Sequence, residues 1–254
     1  MKLLLLLSSA CFLLCKGAEI IHGREATPHS RPYMALITFE TQFEQKICGG
    51  SLIKDNWVLT AGHCQMPGAF IAVFLGSHSR GGNERLRQKF TVLRSIVHPN
   101  YNRSNLHNDL RLIKLRGKAT LNKAVKLLPL PETFEDVNGE SVCETAGWGK
   151  TEKLDAADHL LEVNVTILDR EKCVAHWNEK KVLITQNMTC TSVGPSGQDT
   201  CTGDSGGPLI CNGVFRGVTS FGPKVCGQDH ESSVFTRLTK AYVKWISETI
   251  AKRS

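Results

Sequence analysis

Three short segments of this chain carry residues that together could hydrolyse a peptide bond. That reaction needs a nucleophile, a base to take its proton, a group to orient the base, and N–H donors for the developing oxyanion. The run Asp199-Thr200-Cys201-Thr202-Gly203-Asp204-Ser205-Gly206-Gly207-Pro208-Leu209 offers Ser205 as nucleophile. Its glycines let backbone approach a substrate closely and aim N–H groups at one point. The segment Leu59-Thr60-Ala61-Gly62-His63-Cys64 offers His63 as base, behind an apolar stretch and beside a cysteine. The segment Asn108-Asp109-Leu110-Arg111-Leu112-Ile113-Lys114-Leu115 offers Asp109 as orienter, at the opening of an alternating strand. A lone His or Asp in such settings is ordinarily structural or a surface cap. The order of all three gives the assignment its weight.

The elements that must position these residues are mostly strands. Short β-rich apolar segments recur between turns: Tyr33–Phe39, Trp57–Thr60, Ala69–Leu75, Leu110–Leu115, Val163–Leu168, Val214–Ser220 and Ser233–Thr236. Such spacing predicts an all-β sandwich or barrel. Only the last stretch reads clearly as a helix. From Leu238 to Ile250, Tyr242, Val243, Ile246 and Ile250 recur at three- and four-residue steps around Trp245, the pattern of a docked amphipathic helix. No internal repeat or linker divides the chain. All-β units of this size often fold as one domain, so 254 residues do not by themselves call for a split.

The N-terminus reads as a secretory signal. Lys2 precedes a nearly unbroken apolar run from Leu3 to Leu14, and Cys15-Lys16-Gly17 ends it on a small residue. A membrane anchor is the competing reading, but a span needs about 20 residues and this run is shorter. Cys11 and Cys15 would leave with the signal. Cys48, Cys64, Cys143, Cys173, Cys190, Cys201, Cys211 and Cys226 remain, an even set that predicts disulfides in an oxidising compartment. Zinc binding is the rival, but no pair has the C-x2-C spacing. Spacing alone leaves the pairing open. Sequons at Asn102, Asn164 and Asn187 are candidate glycan sites, or chance matches. The net charge of +7 includes the basic runs Arg85–Lys89 and Lys114–Lys118, read either as a solvated surface or as a docking face for acidic proteoglycan.

The three segments resemble, in the order His, Asp, Ser, the active-site signatures of the chymotrypsin family. The similarity runs from Ile20 nearly to the C-terminus and includes Ala146-Gly147-Trp148-Gly149 and Thr219-Ser220-Phe221-Gly222. The resemblance implies two six-stranded β-barrels with the active site between them and a C-terminal helix. It implies His63, Asp109 and Ser205 as the catalytic triad, with Gly203 and Ser205 as oxyanion-hole donors. It implies that Ser220, Phe221 and Gly222 bind substrate backbone as an added strand. It also implies the pairs Cys48–Cys64, Cys143–Cys211, Cys173–Cys190 and Cys201–Cys226. Gly62 is a small departure, where the family more often has Ala. No metal or cofactor is expected.

Ile20-Ile21-His22-Gly23 resembles the family's mature N-terminus, freed from a precursor so that the Ile20 ammonium pairs with Asp204. Glu19 precedes it, so a tryptic activator would not cut there. With a signal at 1–17, the activation peptide is the dipeptide 18–19 and the protease domain 20–254. That arrangement resembles granule-stored granzymes and mast-cell proteases, matured by a dipeptidyl peptidase. Pro28–Met34 and Gly213–Gly222 look most like the granzyme A and granzyme K branch. No cysteine is left over to link two chains, so a monomer is expected. Asp199, six residues before Ser205, would select Arg or Lys, with Gly222 leaving room on one wall. Ser233 departs from the branch, which has Gly there, and is expected to narrow the pocket or tilt the choice between Lys and Arg. Two rival readings are a non-catalytic relative that binds glycans or kills microbes, and a digestive or plasma trypsin-like enzyme.

Overall fold

The computed structural model describes residues 23–151, 156–193, 199–201, 203–223, 226 and 232–253. The expected signal, the dipeptide 18–19 and Ile20 lie outside the described residues.

Short apolar segments between turns become strands, and the strands close into two antiparallel barrels. The first contains β2 (Met34–Glu40), β3 (Gln45–Lys54), β4 (Trp57–Thr60), β5 (Phe70–Leu75), β6 (Gln88–Val97) and β7 (Arg111–Leu115), after a two-residue β1 (Arg24–Glu25). Its ring order is β2-β3-β4-β7-β6-β5. The second contains β8 (Val142–Gly147), β9 (Leu161–Leu168), β10 (Met188–Ser192), β11 (Pro208–Cys211), β12 (Val214–Phe221) and β13 (Ser232–Arg237). Its order is β9-β10-β13-β12-β11-β8, closed by the β8–β9 ladder, with β1 added outside against β9. Closure leaves neither ring an open edge.

Inward residues fill each barrel. Ile37, Val58, Leu59, Val73, Leu75 and Leu112 are fully buried in the first, and Val165, Leu209 and Phe235 in the second. Each such side chain contributes about 1.5–3 kcal/mol through burial. The expected terminal helix is α2 (Lys240–Ala251), which starts on the Thr239 side chain accepting the Tyr242 N–H. It buries Tyr242 and Ile246 in the core of the first barrel, and Trp245 meets His98 edge-on at 4.7 Å between ring centres. The chain thus ends by strapping its second half to its first.

Two expectations are corrected. A further helix, α1 (Arg170–Glu179), follows β9; it buries only Cys173 and Trp177, so it lacks the apolar periodicity that marks α2. Asp109 does not open a strand. β7 begins at Arg111, and Asp109 sits in an irregular turn behind Asn108, whose φ of 55° breaks extended pairing.

Candidate active site

The β4–β7 ladder explains why two residues 46 apart in sequence meet. Thr60 pairs with Arg111, so the chain leaving β4 and the chain entering β7 run side by side beyond that rung. His63 and Asp109 lie there. The His63 N–H donates to Asp109 Oδ1 at 2.8 Å, and His63 Nδ1 lies 2.7 Å from Oδ2. A carboxylate accepts, so the imidazole proton sits on Nδ1 and leaves Nε2 as a base. Asp109 has no solvent exposure, whereas the His63 side chain is 27% exposed. The Ser220 hydroxyl, from the opposite barrel, gives Oδ2 a further bond at 2.5 Å. The Cys48–Cys64 disulfide anchors the His63 loop to β3.

Ser205 arrives from the second barrel on the turn before β11. That turn is pressed against the first barrel: the Gly49 N–H donates to the Ser205 carbonyl at 2.8 Å, and Thr60 Oγ1 donates to the Gly49 carbonyl at 2.7 Å. Gly206 has φ +85°, and a Cβ there would lie 2.1 Å from Thr60 Oγ1. Only glycine permits both the backbone and the approach. Ser205, Gly203 and His63 line one cleft of about 730 Å³ between the barrels. Among the described residues no hydrogen bond joins the Ser205 hydroxyl to His63; such contacts commonly tighten when substrate binds.

Asp204 points the other way, into protein. It is 1% exposed and accepts N–H groups from Gly149 at 2.8 Å and Cys201 at 3.0 Å. A Cβ on Gly147 or Gly149 would meet its carboxylate at 2.2 or 2.5 Å, so the Ala146-Gly147-Trp148-Gly149 motif is the cradle for this side chain. Burial pushes its acid up to about 7, against the pull of the two N–H groups; the charge of nearby Asp199 raises it further.

A smaller pocket of about 160 Å³ opens at Ser205 between Thr200–Cys201 and Thr219–Pro223. Asp199 does not itself line this pocket; it is 1% exposed and is joined to two residues that do, accepting from the Thr200 N–H at 2.8 Å and the Ser233 hydroxyl at 2.7 Å. Ser233 forms part of the pocket wall, and a Cβ on Gly222 would lie 3.0 Å from its hydroxyl. The four disulfides join Cys48–Cys64, Cys143–Cys211, Cys173–Cys190 and Cys201–Cys226. The last ties two walls of this pocket.

The sequence reading passed over several supports of the site. Arg111 is 7% exposed and donates to the Gly62 carbonyl through Nε at 3.2 Å and Nη2 at 2.9 Å, gripping the residue before His63. Tyr242 on α2 donates to Asn108 Oδ1 at 2.8 Å, next to Asp109. Helix α1 backs the pocket: Trp177 Nε1 donates to Ser232 Oγ at 2.7 Å, and its ring meets Phe221 edge-on. An isolated Arg or Trp carries no sequence signal for such roles; only the ladder register brings them in. Of the sequons, Asn102 and Asn164 are exposed and Asn187 is half-buried. In the first basic run, Arg87 is spent on the carbonyls of Gly82 and Arg80, while Arg85 and Lys89 stay exposed.

Comparison with known proteins agrees with this architecture. The family model described as Trypsin matches residues 20–246. The chain is 44% identical to granzyme A of Bos taurus, over 98% of this chain and 93% of that protein. It is 38% identical to duodenase-1 of Bos taurus, over 99% and 97% of the two chains. It is 37% identical to a glandular kallikrein of Sus scrofa, over 92% and 97%. With two closed barrels, a shared interbarrel cleft and these similarities, the chain belongs to the trypsin family of serine proteases.

Proposed function

We propose that this chain is a secreted, granule-stored serine endopeptidase, made as a zymogen, that cleaves after Arg or Lys through an acyl-enzyme. The observation that carries the reading is the Asp109–His63 pair on a cleft shared with Ser205. Ser205 Oγ adds to the scissile carbonyl carbon as His63 Nε2 takes its proton. Asp109 keeps the other ring proton on Nδ1 and offsets the imidazolium charge. The N–H groups of Gly203 and Ser205 receive the oxyanion, each worth about 3–4 kcal/mol. The C–N bond then breaks and the amine departs with the proton from His63. Water, deprotonated by His63, hydrolyses the ester and restores Ser205.

Asp199 supports the choice of a cationic side chain, because a buried carboxylate attracts a guanidinium or ammonium and offers nothing comparable to an apolar group. Ser220, Phe221 and Gly222 would hold substrate backbone as an added strand. For activation, a signal at 1–17 is removed first. A dipeptidyl peptidase then takes Ala18-Glu19, and the Ile20 ammonium inserts against Asp204, ordering the oxyanion hole in the domain 20–254. The internal pairing of all eight cysteines supports a monomer. The names of the relatives, granzyme A and mast cell protease 3 among them, support granule storage, and exposed Arg85, Lys89, Arg116 and Lys118 support retention on acidic proteoglycan. Among the described residues no helix is long and apolar enough to cross a membrane.

The test is Ser205→Ala on the activated enzyme. Turnover of peptide substrates should fall at least about a thousandfold with an unchanged melting temperature. Activity within tenfold of the parent would remove Ser205 from the mechanism.

A further inference from the structure

We propose that Glu25, His78 and His159 form a binding site for a transition-metal dication of the Zn2+ type, on the face of the molecule where β1 meets the seam of the barrels. The three residues are 53 or more positions apart except through the fold, and one ligand atom from each lies within 4.8 Å of the others. His78 Nε2 is 2.8 Å from Glu25 Oε1, and His159 Nδ1 is 4.0 Å from the same oxygen. Around tetrahedral zinc, with bonds of about 2.0–2.2 Å, ligand atoms stand about 3.4 Å apart. The short contact must open and the long one close, each by roughly 0.6 Å. Side-chain rotation supplies that, since Glu25 and His159 are each about half exposed.

The backbone under the site is already fixed. Ser79 and His159 form a β-bridge, the Leu160 N–H donates to the His78 carbonyl at 2.7 Å, and the Ala26 N–H donates to the Leu160 carbonyl at 2.9 Å. Trp148 Nε1 also donates to the His78 carbonyl at 3.0 Å. The imidazoles are stacked, with ring centres 5.1 Å apart and planes 22° apart, so both nitrogens face the same carboxylate. A Glu–His pair alone accounts for the His78 contact; it does not account for a second imidazole placed on the same oxygen. Two imidazoles and one carboxylate favour zinc or its neighbours over calcium or magnesium, which take oxygen. With one ligand buried and two exposed, a water can fill the fourth position. The neighbouring cations are engaged elsewhere: Arg24 pairs with Glu162 and Arg80 with Asp158.

One feature limits affinity. Ligating histidines usually donate their second N–H to a carboxylate or carbonyl, and losing such a partner weakens metal sites by about 10–100-fold. His78 Nδ1 is buried without a partner among the described residues. The site therefore suits a regulatory or stabilising ion more than a permanent one. Its effect is to rivet the N-terminal strand, five residues after Ile20, to the first barrel's 78–80 segment and the start of β9.

The test is equilibrium dialysis of the untagged full chain against Zn2+ alone, with metal quantification, alongside thermal melting. The expected result is one chelator-reversible zinc per chain and, at a hundredfold excess over Kd, a melting temperature raised by about 5–10 °C. His159→Ala and Glu25→Gln, both at exposed side chains, should each weaken binding at least tenfold. His63→Ala should leave binding unchanged. Failure of the parent to bind zinc, binding that survives both variants, or binding lost in His63→Ala would overturn the proposal.

Discussion

The Ser233 hydroxyl donates to Asp199 Oδ1 at 2.7 Å, and that same oxygen also takes the Thr200 N–H. The carboxylate is thus partly satisfied by a residue of the pocket wall. Ser233→Gly removes the bulk and the competing donor together. A guanidinium, wider and forked, gains more from both changes than an ammonium does. The expected outcome is a rise in the Arg-to-Lys ratio of kcat/KM by about fivefold, the scale of 1 kcal/mol. Matched peptide substrates differing only in that residue measure it. An unchanged ratio would mean that Ser233 does not face the substrate side chain.

Asp199 itself gives the second prediction. In the parent, cleavage after Arg or Lys should exceed cleavage after Phe or Leu by at least about a hundredfold, since only a cationic group gains a charge-assisted contact with the buried carboxylate. Asp199→Ser should erase most of that difference, chiefly by lowering the rate on cationic substrates. A parent enzyme that prefers Phe or Leu would show that Asp199 does not read the substrate.

The division between legible and illegible residues follows from physical range. Ser205, Gly203 and Asp204 stand in one glycine-rich run, and His63 follows an apolar strand, so local pattern exposes them. Short, unbroken apolar strands such as Trp57–Thr60, buried along their whole length, were equally readable. β6 was not, because it is largely exposed along Gln88–Val97. β3 was not, because Gly49 and Gly50 interrupt its apolar pattern exactly where the Ser205 loop packs on it. The Ser220 bond to Asp109 spans 111 residues and two barrels, and the Arg111 clamp on Gly62 spans 49. Contacts of that kind depend on register, which one sequence does not display.

Arg111 is the source of the third prediction. Its guanidinium also donates to Ser95 Oγ at 2.8 Å and Gln65 Oε1 at 2.7 Å, so it fastens the His63 turn to β6 from within. Arg111→Met keeps the aliphatic stem but orphans the Gly62 carbonyl. Loss of bonds to a buried charged donor should cost about 2–3 kcal/mol of stability, read as a melting temperature lower by about 5–10 °C. With His63 less firmly placed, kcat should fall about tenfold with little change in KM. Arg111→Lys, which keeps the charge but not the fork, should fall between. A variant that loses stability while keeping kcat would confine Arg111 to a structural role.

The last prediction turns on Asp204 and the proposed ammonium partner. While Ala18-Glu19 remains attached, Ile20 has no free ammonium to offer. Burial then raises the Asp204 acid from 3.8 to about 7. Between those values the folded chain holds a proton that the unfolded chain has released. More protons bound to the folded state means that stability falls as pH rises across this window, then levels off above about 7. Once the dipeptide is removed, an ammonium beside Asp204 would draw its acid down and abolish that fall. Melting temperatures measured from pH 4.5 to 7.5, in a Ser205→Ala background that prevents self-cleavage, should separate the two forms. The precursor should lose on the order of 5 °C relative to its Asp204→Asn variant, and the processed chain should show a flatter profile. Precursor and processed chain with the same slope would mean that removing the dipeptide does not bring a charge to Asp204, and the latch would have to be sought elsewhere.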